Sequence, residues 1–270
     1  MAKQAIVTLA IGAEYADRFE RHCRANWSLY AKRHGFDLVV ITEPLDTSTR
    51  AQTRSPAWQK CLVLGAPQVA GYARVVWVDS DICINPAAPS VTDSVPPERI
   101  GAVDEHSFPS VEERQAILDA IISVAPESGG ADRAFWRAWR DPGQWHGYFG
   151  LPSGQSHIVQ TGVLVLSPQH HRGLLEHVYQ TCEDRGGKQF NYEMRPLSHE
   201  IQARGLQHWI DPKFNALVWW LFLQQNPGTE TDALWRFVQD NYRRSHFLHF
   251  AGCAHLIPLL AIDHEKATHT

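Results

Sequence analysis

The sequence predicts an α/β protein built on a mainly parallel sheet with helices on both faces. Three observations lead there. AIVTLAI at 5–11 and VVWV at 75–78 are apolar runs without alternation, which suits strands buried on both faces. DLVVIT at 37–42 is another short strand bounded by polar residues. A helical stretch lies between AIVTLAI and DLVVIT, so strand, helix and strand succeed one another with short connections. That succession is a βαβ unit, whose strands run parallel.

The helix spans about Glu14 to His34. Tyr15, Phe19, Cys23, Trp27 and Tyr30 fall on one helical stripe, and Gly35 is a natural stop. SPAWQKCLVLGAPQVA at 55–70 reads as a helix leading into the VVWV strand, with Lys60 projecting from it. Residues 86–97 are proline-rich and form a connection; RIGAVD then gives a short strand ending at Asp104. Ser110 and Glu113 form a capping box before a helix through about Val124. Trp136, Trp139, Trp145, Tyr148 and Phe149 follow among glycines and prolines, a composition that predicts an irregular, mobile lid. IVQTGVLVLSP at 158–168 is a further buried strand, and 170–182 looks helical. LSHEIQARG at 197–205 begins another helix, with Pro196 and Ser198 as start signals. Residues 209–222 mix strand and aromatic core, and HFLHFAGCAH at 246–255 sets His249 between apolar residues ahead of Gly252. The 270 residues suit one domain with halves at 1–100 and 101–270.

Composition excludes several classes. With 44% hydrophobic and 20% charged residues the chain is an ordinary globular one, and its net charge of −4 argues against nucleic-acid binding. No apolar run reaches the ~20 residues of a membrane span, so stable membrane insertion is not expected. The five cysteines form no CxxC pair, which predicts free, mostly buried thiols and a cytoplasmic location. The N-terminus lacks a signal-peptide layout.

The chemistry concentrates at Asp79-Ser80-Asp81, where the VVWV strand stops. Residues one apart in an extended chain share a face, so the two carboxylates repel unless a cation lies between them. A divalent ion held through oxygen would supply that charge and could bridge a diphosphate. The same residues are also common turn formers. Ligands of parallel sheets collect at the carboxyl ends of the strands, which puts Ala10, Ile11, Gly12, Thr42 and the acidic pair on one rim. Neither a dinucleotide-binding glycine pattern nor a P-loop is present, so a nucleotide would be held by strand ends and metal. Asp104, at another strand end, suits sugar hydroxyls or the start of a turn.

Taken in order, four segments resemble the retaining GT-A glycosyltransferases, in particular the galactosyl/xylosyl transferase family and the glycogenin-like family. They are SPAWQK, VVWVDSDICIN, QTGVLVLSP and the HFAGC of 249–253, and together they run from Ser55 to Cys253. The resemblance implies a GT-A-type, Rossmann-like mixed sheet. It also implies a nucleotide-diphosphate sugar donor, UDP-sugar favoured, Mn²⁺ or Mg²⁺ as cofactor, and retention at the transferred sugar. The acceptor would be a hydroxyl of a saccharide, small molecule or protein. Asp79, Asp81 and His249 would hold the metal. Lys60, Ser80, Gln160, Gly252 and His255 would lie at the donor's phosphates and sugar, and Thr8, Ala10, Ile11 and Gly12 at its base and ribose. Asp104 and Glu200 would position the sugar and serve catalysis. The chain departs from the pattern at Gln160, where asparagine is usual, at His255, where lysine is usual, and at Ile201, which takes the place of a glutamine unless Gln202 substitutes. Ile201 motivates one alternative, a catalytically silent sugar-nucleotide-binding protein. A haloacid-dehalogenase-like phosphatase is the other, since it also places DxD after an apolar strand; its motif usually lies in the first strand, with Thr or Val where Cys83 stands.

Overall fold

The computed structural model describes residues 3–129, 131–183 and 192–260. The main sheet has six strands: β1 (Gln4–Leu9), β2 (Asp37–Ile41), β3 (Arg74–Val78), β5 (Ile100–Asp104), β6 (Val159–Leu166) and β7 (Gln207–Trp209), in the order β2-β1-β3-β6-β5-β7. β1 runs parallel to β2 and β3, and β5 parallel to β7, while β6 runs antiparallel to both β3 and β5. The expected α/β class and mainly parallel sheet are therefore observed. A smaller sheet of β4 (Ile82–Ile84), β9 (Phe247–His249) and β8 (Ala216–Leu217) lies beyond the end of β3.

Strand β3 explains why its sequence is apolar throughout. Val76 and Val78 join a core with Phe19, Trp27, Leu118, Trp220 and Phe247. Val75 and Trp77 point the other way, into a core with Trp58, Leu164, Val178 and Leu197. A strand buried on both faces has no position for a polar side chain, so alternation is lost. The first core is covered by α1 (Ala13–His22), α2 (Arg24–His34), α4 (Val111–Val124), α9 (Val218–Gln225) and α10 (Thr231–Arg244); the second by α7 (Pro168–Thr181) and α8 (Met194–Ala203). A single turn, α3 (Thr49–Gln52), precedes a run of 3₁₀ turns at Pro56–Gly65 that replaces the helix expected there.

Two further expectations need correcting. The helix foreseen over 14–34 is broken at Cys23 (φ −113°, ψ −40°), so Phe19 and Trp27 meet edge to face at 5.0 Å. The lid foreseen over the aromatic stretch is instead a folded pair, α5 (Arg133–Ala138) and α6 (Pro142–Tyr148). Asp132 and Asp141 cap them by accepting from the N–H groups of Phe135 and Gln144 at 2.9 and 2.8 Å, and Pro142 occupies the first helical position of α6. Phe135, Trp145, Phe149 and Ile158 form a small core beneath them. The aspartates were the overlooked signal. Among the described residues no helix is long and apolar enough to cross a membrane, and the five cysteines are all free thiols.

Two stability predictions follow from buried polar groups. The Trp27 indole N–H donates to the Ile82 carbonyl at 2.8 Å, tying α2 to β4. Trp27→Phe should cost about 1–3 kcal/mol by orphaning that carbonyl, read as a lower denaturant midpoint. Burial also pushes His146 and His171 down to about 4. Their folded values lie below the unfolded value near 6.5, so the unfolded chain binds more protons between those limits. Stability should hold above about pH 6.5 and fall as the pH drops toward 4. In urea titrations at pH 7 and 5, His171→Gln should flatten that slope.

Candidate active site

The Asp79-Ser80-Asp81 turn is held at the end of β3 by backbone and indole. The Asp79 N–H donates to the Gly162 carbonyl at 2.8 Å, and the Trp77 indole N–H donates to Asp79 Oδ1 at 2.8 Å. β4 starts at the next residue and pairs antiparallel with β9, with Ile82 opposite His249. That register sets the imidazole against the acids. His249 Nε2 lies 3.3 Å from Asp81 Oδ1 and 3.9 Å from Asp79 Oδ2. One ligand atom from each of the three residues falls within 4.8 Å of the others. Two carboxylates and an imidazole nitrogen at one point suit a divalent ion of the Mg²⁺ or Mn²⁺ kind. Gly162 is required beside them, since a Cβ there would stand 2.5 Å from His249 Cε1.

Behind the acids lies a buried cation. Lys60 Nζ is 3.0 Å from Asp79 Oδ1 and 2.8 Å from Glu193 Oε1, and it donates to the Thr161 carbonyl at 3.2 Å. Thr161 Oγ1 also donates to Glu193 Oε1, at 2.9 Å. Glu193 is 2% exposed, and its Oε2 has no partner among the described residues. Burial opposes the charge on Lys60, but the two carboxylates outweigh it and hold its pKa above the ordinary lysine value. Burial raises Asp79 even against Lys60. Burial also acts to raise Asp81, but His249 outweighs it and keeps the group below the usual range. His249 is raised in turn: burial lowers it, and the Asp81 charge more than compensates. The four groups form a compact, alternating array of charge.

A cavity of about 1050 Å³ opens over this array. Of the residues expected at a donor site, Ile11, Lys60, Asp79, Ser80, Asp81, Gln160, His249, Gly252 and His255 line it. Thr8, Ala10 and Gly12 do not. Thr8 and Ala10 are fully buried in the sheet, and Gly12 takes φ 94° as the turn into α1. Neither acid expected to serve catalysis reaches the cavity wall. Asp104 is bound to His157 Nδ1 at 2.8 Å and accepts the N–H groups of His106 and Ile158, so it organises a turn. Glu200 pairs with Arg204 and His199 on α8. Roughly two turns before it, the start of α8 instead brings Glu193, Met194 and Arg195 to the cavity. Sequence reading began that helix too late, and Glu193 went unnoticed. It also missed the polar face of α1, where Glu14, Tyr15, Asp17, Arg18, Arg21 and His22 form one wall.

No protein-family profile matches the sequence, and no curated protein matches it. Solved structures do resemble it. A glycosyltransferase involved in glycosylation of the major capsid of PBCV-1 aligns with TM-score 0.53 at 14% identity, over 95% of this chain and 100% of that one. The galactosyltransferase LgtC, solved with donor and acceptor sugar analogs, gives 0.45 at 12% identity over 97% and 99%. Mouse xyloside xylosyltransferase 1 gives 0.39 at 12% over 92% and 98%. The fold is that of the GT-A glycosyltransferases.

Lys60 is the group whose removal this geometry makes costly. Lys60→Met should leave Glu193 as an uncompensated buried charge and cost about 3–5 kcal/mol. Lys60→Met with Glu193→Gln should recover part of that loss, measured by chemical denaturation.

Proposed function

We propose that the protein is a metal-dependent glycosyltransferase that moves a sugar from a nucleotide-diphosphate sugar to an acceptor hydroxyl with retention. The observation that carries this reading is the meeting of Asp79, Asp81 and His249 with the Lys60–Glu193 pair at the floor of one large cavity. Asp79, Asp81 and His249 would hold Mn²⁺ or Mg²⁺. When bound, such an ion neutralises the diphosphate and makes it a better leaving group. The resemblance favours UDP-sugars as donors.

The protein's own residues supply the rest. Lys60 fixes Asp79 and Glu193 in place. His255 and the Gly252 turn border the diphosphate side, and the α1 wall from Glu14 to His22 borders the nucleoside side. Glu193, with Oε1 held by Lys60 and Thr161 and Oε2 unpartnered, replaces Glu200 as the carboxylate that stabilises positive charge at the anomeric carbon. Asp104 keeps a supporting place, through the turn that starts β6. The acceptor approaches from the side of Trp139 and Trp145, which also line the cavity.

The case for a silent binding protein weakens on one observation. Ile201 is fully buried against the sheet, so its side chain is not a missing catalytic amide.

A thermal-shift screen of nucleotide sugars with and without Mn²⁺ tests the reading, because a ligand of the native state raises its melting point. A metal-dependent shift with one nucleotide sugar supports it; a response only to metal with phosphate analogues favours the phosphatase. With the donor in hand, Asp81→Asn should abolish turnover. Glu193→Gln should lower kcat by roughly 10²-fold or more with donor affinity retained, while Glu200→Gln should leave kcat near that of the wild type.

A further inference from the structure

We infer that Asn215 is a positioning residue for the metal site, fixing the proton of His249 through a relay that begins at the backbone of β6. The inference deepens the metal-site reading above and rests on it. Its logic starts from a group whose role has no ambiguity. The Gly162 N–H can only donate, and it meets Gln160 Oε1 at 2.5 Å. That atom is therefore an acceptor. Asn215 approaches the same oxygen at 3.2 Å, so the atom it presents must be its amide nitrogen. The Asn215 oxygen then faces His249 Nδ1 at 2.8 Å. An amide oxygen has no proton to give, so Nδ1 carries the hydrogen. In the neutral ring Nε2 keeps its lone pair, and Nε2 is the atom that faces Asp81 and Asp79.

The relay is almost wholly buried. Asn215 is fully buried, His249 is 2% exposed and Gln160 7%. Its members come from three separate segments: β6, the 3₁₀ turn Pro212–Asn215 that leads into β8, and β9. β8 and β9 pair in parallel with Leu217 opposite His249, which brings Asn215 alongside the ring. Gln160 also gains a purpose. It is long enough to take the N–H two residues on in its own strand while still reaching Asn215.

The proton assignment is tested without metal or donor. Ring nitrogen NMR of ¹⁵N-histidine protein, at a pH high enough for a neutral ring and assigned against His249→Gln, should show His249 protonated at Nδ1. Asn215→Leu should abolish that preference. It should also weaken Mn²⁺ binding by roughly 10–100-fold in titration calorimetry, while circular dichroism stays native. Gln160→Leu should act in the same direction, and Gln160→Glu, which keeps an acceptor for both donors, should preserve the tautomer. If Asn215→Leu does not fold, the wild-type spectrum and the Gln160 pair decide alone. An Nε2-protonated ring in the wild type overturns the inference, as does a folded Asn215→Leu with unchanged tautomer and Mn²⁺ affinity. A wild-type protein that binds no Mn²⁺ overturns it too. One that binds Mn²⁺ but no nucleotide sugar overturns the glycosyltransferase reading and leaves the relay standing.

Discussion

The site depends on one buried ammonium. Lys60 sits between Glu193, which is shut away from water, and Asp79, which is only partly so, and its own desolvation is tolerable only because both are there. Remove the lysine and two acids are left without the cation between them; remove the acids and a buried cation is left without its counter-charges. Charge balance thus locks three chain segments together: the 3₁₀ run before β3, the end of β3, and the entry to α8. The arrangement holds carboxylates a short distance apart, as the proposed metal site requires.

The surrounding fold supplies the rigidity that this balance needs. Trp77 packs its ring into one core while its N–H steers Asp79, so the same side chain anchors the strand and aims the acid. Trp27 does the same from the opposite face, carrying α2 against β4. Because β4 is three residues long and starts directly after Asp81, its pairing with β9 fixes the acid and the imidazole together. The position of His249 is a matter of strand register before it is a matter of side-chain conformation.

Much of this was legible in the sequence, for identifiable reasons. Strands buried on both faces write themselves as unbroken apolar runs, so β1, β3 and β6 stood out, and strand ends located the acidic pair. The ordered motifs placed Lys60 and His249 beside it although they lie far off in the chain. Glu193 was hidden because it precedes a helix whose strongest start signals, Pro196 and Ser198, fall inside its first turns. α1 was hidden by its own periodicity. The stripe from Tyr15 to Tyr30 advertised a single helix packed on the core, whereas Tyr15 is 52% exposed on the cavity side of a bend. Asp104 and Glu200 show the converse. An acid at a strand end or near a helix start has the right address, but hydrogen bonding decides whether it is free to act.

The direction of β6 has a further consequence. As the one strand running against its neighbours, it brings its beginning, not its end, to the functional rim. Successive residues there face opposite sides: Gln160 and Gly162 toward the Asn215–His249 relay, Thr161 toward Lys60 and Glu193. The two halves of the site are therefore interleaved on three consecutive positions of a single strand. A slip of one residue against β3 would exchange their partners wholesale, so insertions and deletions at this point should be far less tolerable to the lineage than almost any substitution.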